Sequence, residues 1–347
     1  MYASEGEMVM AATILVVDSD PVNCTTWETL LLDQRYEVVA ARTGETALTV
    51  CSDLQPDLVL LSYLLPDIEG LEVCRRLKAQ PRNCLTPVVL LTSGIEARRS
   101  SEAIEAGVDD FLGCPTMLWE ALTCVHYLLQ VKAYIDERAK SEIFSLAHSV
   151  DAEDVFRGGH SVRVSNNAVR LGKSLGLAET DLETLRIGGL VHDVGKIGVP
   201  NAILSKVGPL NPDEIKIIMR HPVLGERICA PLKTLRDVLP LVRSHHGRMD
   251  GTGYPDGLCG EQISLIVRLL QIVDICDALT GDRPYRQALS LPRALLVLYE
   301  EADRGWVDEA LVSQLALVTV GAQGLAAIRN GGISRSSGMS ERSGNNS

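Results

Sequence analysis

The chain has 347 residues, 46% hydrophobic and 22% charged, with 33 basic residues against 45 acidic ones for a formal net charge of −12. That length holds two domains, each with its own core, in a composition typical of soluble globular proteins. The acidic balance argues against a general binder of nucleic acid polymers or anionic membranes, but leaves room for a small anionic ligand held by a metal and a few local cations.

The nine cysteines are scattered without a CxxC pair, which suits reduced thiols in a cytoplasmic protein better than a disulfide framework. The opening "MYASEGEMVM" carries glutamates and no basic segment, unlike a signal peptide. The uncharged run 310–328 is long enough to raise the question of a membrane span. Ser313, Gln314, Thr319, Gln323 and two glycines interrupt it, so a buried terminal helix is expected instead.

Strands and helices alternate from residue 13 to about 130. "TILVVD" (13–18), "YEVVAA" (36–41), "DLVLLS" (57–62), "PVVLLT" (87–92) and "DDFLG" (109–113) are the predicted strands. Three are nearly continuous aliphatic runs, the pattern of parallel strands covered on both faces. Asp20-Pro21 reads as an N-cap followed by proline at the first helical position, and Gly70 opens the helix "LEVCRRLK". Five βα units predict a doubly wound α/β sheet, with its ligand crevice at the carboxyl ends of the strands. Asp18, Asp20, Ser62, Thr92 and Cys114 would meet there.

This stretch resembles the receiver domain of bacterial response regulators. That family has an acidic pair after its first strand, a phosphoacceptor aspartate after the third, Thr or Ser after the fourth, and Lys before proline after the fifth. Here "VVDSDP" retains Asp18 but has Ser19 at the second acidic position. Ser62 stands at the phosphoacceptor position, Thr92 is retained, and "GCP" puts Cys114 where the lysine would be. Phosphoryl transfer at such a site needs a carboxylate nucleophile, acidic metal ligands and a cation, and an unactivated serine is a poor nucleophile. The resemblance therefore implies a degenerate, phosphorylation-independent receiver over residues 12–130.

Residues 128–149 lack proline and glycine and are rich in helix formers, which predicts a helical linker over 131–148. Val131, Ile135 and Ile143 either form a seam for a partner, such as a second copy of the chain, or pack on their own domains.

From about residue 149 to 330 the pattern becomes all-helical, and five of the seven histidines fall between 160 and 246. His160 leads the apolar stripe Val164, Ala168, Leu171 and Leu175. "GGLVHDVGKIGVP" sets His192 beside Asp193, "MRHPVLGERI" puts His221 at a helix start, and "VRSHHGRMDGTGYPDG" runs from His245-His246 into a glycine-rich loop. In "SLIVRLLQIVDICDALTG", Asp274 lies in a helix apolar on most sides, with Asp277 one turn on. A buried carboxylate needs a partner. Two octahedral ions sharing Asp193 and a bridging hydroxide would use all seven donors: His160, His192, Asp193, His221, His245, His246 and Asp274. Without a thiolate the set argues against structural zinc and allows iron or manganese. Such an ion pair hydrolyses phosphate esters.

"HDVGK", the downstream "HH", "DGTGYP" and "DRPYR" resemble the HD-GYP family of metal-dependent phosphohydrolases over roughly 142–330. The resemblance implies an all-α HD-type domain that hydrolyses cyclic di-GMP to linear pGpG or GMP. It implies the seven donors as metal ligands and Lys196 on the scissile phosphate. Tyr254 would line the nucleotide site, and Asp277, Arg283 and Arg286 would contact substrate. A homodimer through receiver and linker, or a GGDEF-type or other signalling protein, are the partners it suggests.

Three positions depart from the family pattern. Phe156 replaces a glutamate that in some members admits a third metal, which predicts two metals here. Gly247 and Asn201 replace acids that would support the loops, a change that bears on rate. His126 and His148 match no motif. The tail from 331 to 347 is Ser/Gly/Asn-rich and expected to be disordered. Two alternatives stand beside the enzyme: a cyclic di-GMP receptor acting through protein contacts, and a phosphodiesterase for another cyclic dinucleotide.

Overall fold

The structure, a computed structural model, describes residues 12–92, 101–113, 117–153, 159–282 and 287–336. Cys114, Phe156, Arg283 and Arg286 lie outside them. The chain divides into two compact units. The first reaches to Lys140 and includes Ala230–Lys233; the second holds Ser141–Cys229 and continues from Thr234.

The first unit is a five-stranded parallel sheet in the order β2-β1-β3-β4-β5. Its strands are β1 (Thr13–Val17), β2 (Glu37–Ala41), β3 (Leu58–Ser62), β4 (Val88–Thr92) and β5 (Asp110–Gly113), interleaved with α1 (Pro21–Leu32), α2 (Gly44–Leu54), α3 (Gly70–Ala79) and α4 (Ser101–Glu105). The continuous aliphatic runs follow from a sheet buried on both sides. Leu15, Val17, Val59, Leu61 and Leu90 pack on one face with Val73 and Leu77 of α3. Ile14, Val16, Leu58, Leu60 and Val89 pack on the other with Trp27 and Leu31 of α1. This is the doubly wound architecture expected from the alternating pattern.

Local chemistry sets the helix starts. Asp20 caps α1 by accepting from the Val22 amide at 2.9 Å, with Pro21 in the first turn. Gly70 lets α3 begin against the end of β3, since a Cβ there would lie 2.4 Å from the Ser62 carbonyl oxygen. The turn before it reaches sideways: Asp67 accepts from the backbone amides of Gly44 and Glu45 at 2.8 and 3.0 Å, capping α2. Helix α5 (Leu118–Glu153) is continuous through Lys140. Along it Ile143 is buried, Val131 half-buried and Ile135 exposed.

The second unit is helical: α6 (His160–Ser174), α7 (Glu179–Val191), α8 (Asn201–Leu204), α9 (Pro212–Ile218), α10 (His221–Cys229), α11 (Leu239–Ser244), α12 (Leu265–Thr280), α13 (Leu291–Asp303) and α14 (Glu309–Ser336). Helix α12 runs through its core, with Leu269, Leu270, Ile272 and Val273 buried. The short 3-10 helix Val194–Gly198 lies directly on α10. Gly195 makes that possible, because a Cβ there would sit 1.9 Å from the His221 carbonyl oxygen and 2.4 Å from the Gly225 nitrogen.

The expected terminal helix is corrected in part. The stretch Glu309–Ala326 is apolar and long enough to cross a membrane, with mean hydropathy 1.2, but Gly321 breaks it at φ 72°, ψ 175°. Before the break Leu311, Val312, Leu315 and Ala316 are buried in the core; just after it residues 321–323 are exposed.

Asp67 generates a pH dependence. The amides of Glu45 and Gly44 lower its carboxyl from an ordinary 3.8 to about 2. A depressed carboxyl contributes stability that is present above its unfolded value and lost as pH falls through its folded value. The first unit should therefore weaken between pH 4 and 2, and Asp67→Asn should flatten that dependence. Urea unfolding followed by circular dichroism across this range checks it; parallel curves for the two proteins would refute the assignment.

Candidate metal centre

The seven predicted donors come together, and they do so at helix ends. His160 begins α6, His192 and Asp193 follow α7, His221 begins α10, and His245-His246 follow α11; Asp274 alone comes from mid-helix, in α12. Short side chains from five helices can share one centre because helix termini converge there. Their donor atoms form two groups, each with all atoms within 4.8 Å: Asp193, His221, His245 and His246, and His160, His192 and Asp274.

Asp193 faces both groups. Its Oδ2 lies 3.5 Å from His192 Nε2, and its Oδ1 lies 3.3 Å from His221 Nε2 and 3.7 Å from His245 Nε2. Asp274 Oδ1 lies 3.2 Å from His160 Nε2 and 3.8 Å from His192 Nε2. Burial opposes charge on both carboxyls, yet both are held below the usual carboxylate range, Asp193 chiefly by the Lys196 ammonium and Asp274 chiefly by His160.

The backbone chooses the histidine tautomers. Nδ1 of His192, His221 and His245 donates to the carbonyl three residues earlier, that of Gly189, Ile218 and Val242, at 2.9, 2.7 and 3.0 Å. A carbonyl only accepts, so Nδ1 carries the hydrogen and neutral imidazole presents its lone pair at Nε2. Burial favours the neutral ring, lowering His192 to about 4 and His221 and His246 below the ordinary value. Two such nitrogens, of His221 and His245, then face each other at 3.2 Å. Two lone pairs at that distance repel unless a cation lies between them. Nε2 of His192 is also buried without a hydrogen-bond partner. This nitrogen and oxygen donor set fits a pair of divalent ions, with Asp193 placed to be shared.

The remaining candidates are placed unevenly. Lys196 pairs with Asp193 at the rim. The Tyr254 ring stacks on His246, with centroids 4.7 Å apart and planes at 23°, and burial pushes its hydroxyl pKa up. Asp277, expected among substrate contacts, has both oxygens held by protein. His160 Nδ1 donates to Oδ2 at 2.7 Å, while Arg163 donates to Oδ1 and Oδ2 at 2.8 and 3.0 Å. Together these bonds keep its carboxyl low against burial, and donation from the His160 ring to the carboxylates of Asp274 and Asp277 outweighs burial to hold His160 up to about 9. Sequence reasoning missed Arg163, whose signal is its place one turn after His160 on the same helix.

Gly247 is packed rather than vacant: a Cβ there would lie 3.0 Å from the Ser244 carbonyl oxygen and 3.1 Å from Ile263 Cδ1, and its carbonyl accepts from buried Gln271. A side chain at this position would need Ile263 or the Ser244 carbonyl to give by a few tenths of an ångström. Asn201 is exposed at the start of α8.

At the carboxyl ends of the sheet, Asp18 follows β1, Ser62 ends β3 and Thr92 ends β4, on neighbouring strands. Asp18 accepts from the Asp20 amide at 2.9 Å and from Asn23 Nδ2 at 3.1 Å. Ser62 Oγ donates to the Leu64 carbonyl at 3.2 Å, and Ser19 is exposed.

Comparison with known proteins agrees with both architectures. Residues 14–120 match the response regulator receiver domain and residues 145–311 the HD domain. The chain is 33% identical over 281 residues to the cyclic di-GMP phosphodiesterase response regulator RpfG of Xanthomonas campestris pv. campestris, covering 74% of each chain. It is 29% identical over 337 residues to a probable cyclic di-GMP phosphodiesterase of Vibrio cholerae serotype O1, covering 86% of this chain and 76% of that one. It is 38% identical over 151 residues to the 3'3'-cGAMP-specific phosphodiesterase 3 of the same organism, covering 44% and 33%. The chain belongs to the family of response regulators that join a receiver domain to an HD domain, a family whose similar members are named cyclic di-GMP phosphodiesterases.

Proposed function

We propose that the helical unit is a di-metal phosphodiesterase that hydrolyses cyclic di-GMP, with iron or manganese as the ions, in a cytoplasmic signalling protein. The convergence of seven nitrogen and oxygen donors in two groups about Asp193 carries this reading. His160, His192 and Asp274 would hold one ion and His221, His245 and His246 the other, with Asp193 serving both. Bound there, the ions supply Lewis-acid activation of water and neutralise charge on the phosphoryl group. The chain's own residues do the rest. Lys196, beside Asp193 at the rim, offers a cation to a phosphate oxygen. Tyr254 offers an aromatic face to a base. Asp277 orients His160 and is itself fixed by the Arg163 fork. The eight described cysteines, all free thiols, suit a reducing compartment.

A second substrate is favoured by one observation: the HD region is also similar to a protein named as a 3'3'-cGAMP-specific phosphodiesterase. The receiver unit, in this reading, works without phosphorylation. Ser62 engages a backbone carbonyl and Asp18 is satisfied by local donors, so neither is arranged as an activated nucleophile.

Protein purified anaerobically and loaded with iron or manganese should convert cyclic di-GMP to pGpG or GMP, and the double variant His192→Ala/Asp193→Ala should not. Parallel incubation with 3'3'-cGAMP ranks the two substrates. Nucleotide binding without turnover of either would make the protein a receptor.

Replacing Asp277 by Asn keeps the shape but weakens the anchor on His160. Metal retention during dialysis, read by elemental analysis, should fall by roughly ten- to a hundredfold in affinity. Full metal content with a raised KM would return Asp277 to the substrate. Ser62→Ala should leave turnover unchanged; a large loss would show that the hydroxyl has a chemical role.

A further inference from the structure

The wall that carries Tyr254 is the glycine-rich segment 247–257, whose composition favours a mobile loop. The structure instead fastens it at three places. The Tyr254 amide donates to the His246 carbonyl at 3.1 Å. Gly253 passes so close to the strand of chain leaving the histidine pair that a Cβ on it would lie 2.4 Å from the Arg248 nitrogen. The Arg248 guanidinium lies 3.8 Å from the centroid of the Trp306 ring, and the Met249 amide donates to the Trp306 carbonyl at 3.0 Å.

The third fastening is Arg243, which sits on α11 two residues ahead of His245. Its Nε and Nη2 donate to Oδ2 and Oδ1 of Asp256, both at 2.7 Å, and its Nη1 donates to Glu226. Asp256 lies two residues past Tyr254, and Glu226 lies on α10, the helix that His221 begins. One guanidinium therefore joins the loop and the two helices that deliver His221, His245 and His246. The paired contact with Asp256 uses the planar fork that only arginine presents; a lysine ammonium supplies a charge without that register. The pairing also holds the Asp256 carboxyl below its ordinary range.

We propose that Arg243 is a positioning residue for nucleotide binding: by gripping Asp256 it fixes Tyr254 against His246 before ligand arrives, and by gripping Glu226 it ties that loop to α10. The proposal rests on the reading of the site as a cyclic di-GMP phosphodiesterase. A preformed wall spares the ligand the ordering of a flexible loop, so its loss appears in substrate affinity rather than in the chemical step.

Two variants of the full chain test this: Asp256→Asn, which keeps shape and removes charge, and Arg243→Lys, which keeps charge and removes the fork. Hydrogen exchange at the amides of 247–258 is read against α12 as an internal reference, alongside metal content, KM and kcat. Both variants should exchange faster in the loop by about tenfold with α12 unchanged. KM should rise by about tenfold, with metal content constant and kcat within about twofold. Unchanged loop exchange and KM would overturn the proposal. So would accelerated exchange extending through α12 with loss of metal, which would make the pair a general structural support. If the unaltered protein neither binds nor hydrolyses cyclic di-GMP while the variants still loosen the loop alone, the assigned activity falls and the clamp on Tyr254 stands.

Discussion

Gathering imidazole nitrogens and carboxylate oxygens into one buried place is opposed by their own electrostatics, and the helical unit is arranged around that opposition. The strongest expression is the pair His221 and His245, whose Nε2 atoms meet at 3.2 Å while both Nδ1 atoms are committed to carbonyls. Backbone anchoring removes the easy escape, a change of tautomer or a rotated ring. These two nitrogens are held where a cation between them makes them mutually favourable, and the ends of four helices hold them and their neighbours in place.

That arrangement depends on backbones coming closer than ordinary side chains permit. Gly195 sits against His221 and Gly225, and Gly189 against Ser165, where a Cβ would lie 2.5 Å from the Ser165 Cα. The first contact brings the turn after α7 onto α10, and with it Asp193 to His221; the second brings α7 onto α6, which His160 begins. The core beneath is aliphatic and dominated by α12, so Asp274 projects from a helix apolar on most sides into the donor cluster. Its burial is tolerable because His160 lies on its Oδ1 at 3.2 Å.

Much of this was legible in the chain because the signals are local. Aliphatic runs ending in Asp18, Ser62 and Thr92 predict parallel strands whose carboxyl ends lie together. Histidines at helix boundaries, spaced across 160–246, predict a centre because so many imidazoles are rarely gathered by chance. What escaped was set by contacts far apart in sequence. Asp277 lies 117 residues from His160, and nothing in "DICDALTG" says which way its carboxylate turns. Gly247 reads as a lost acid in the sequence, yet its surroundings, Ile263 and Gln271, come from the approach to α12 and α12 itself. The tail helix reads as one apolar run until Gly321 adopts a left-handed φ, a choice made by backbone conformation rather than hydrophobicity.

The two units also hold one residue type in two different surroundings. Asp18 and Asp193 are both aspartates at the end of a regular element, both close to a second polar residue in the chain. Asp18 accepts from the amide two residues on and from Asn23, and with those donors its charge is locally answered. Asp193 has His192, Lys196, His221 and His245 about it, drawn from three separate segments. An aspartate served by its own loop asks nothing more of the fold; one surrounded by distant imidazoles whose lone pairs are fixed toward it does. The difference lies in what surrounds the carboxylate: amide and side-chain N–H groups at Asp18, but at Asp193 the Lys196 ammonium and three rings whose Nδ1 hydrogens the backbone has already taken. That contrast supports our proposal that the helical unit carries the hydrolytic chemistry of this chain.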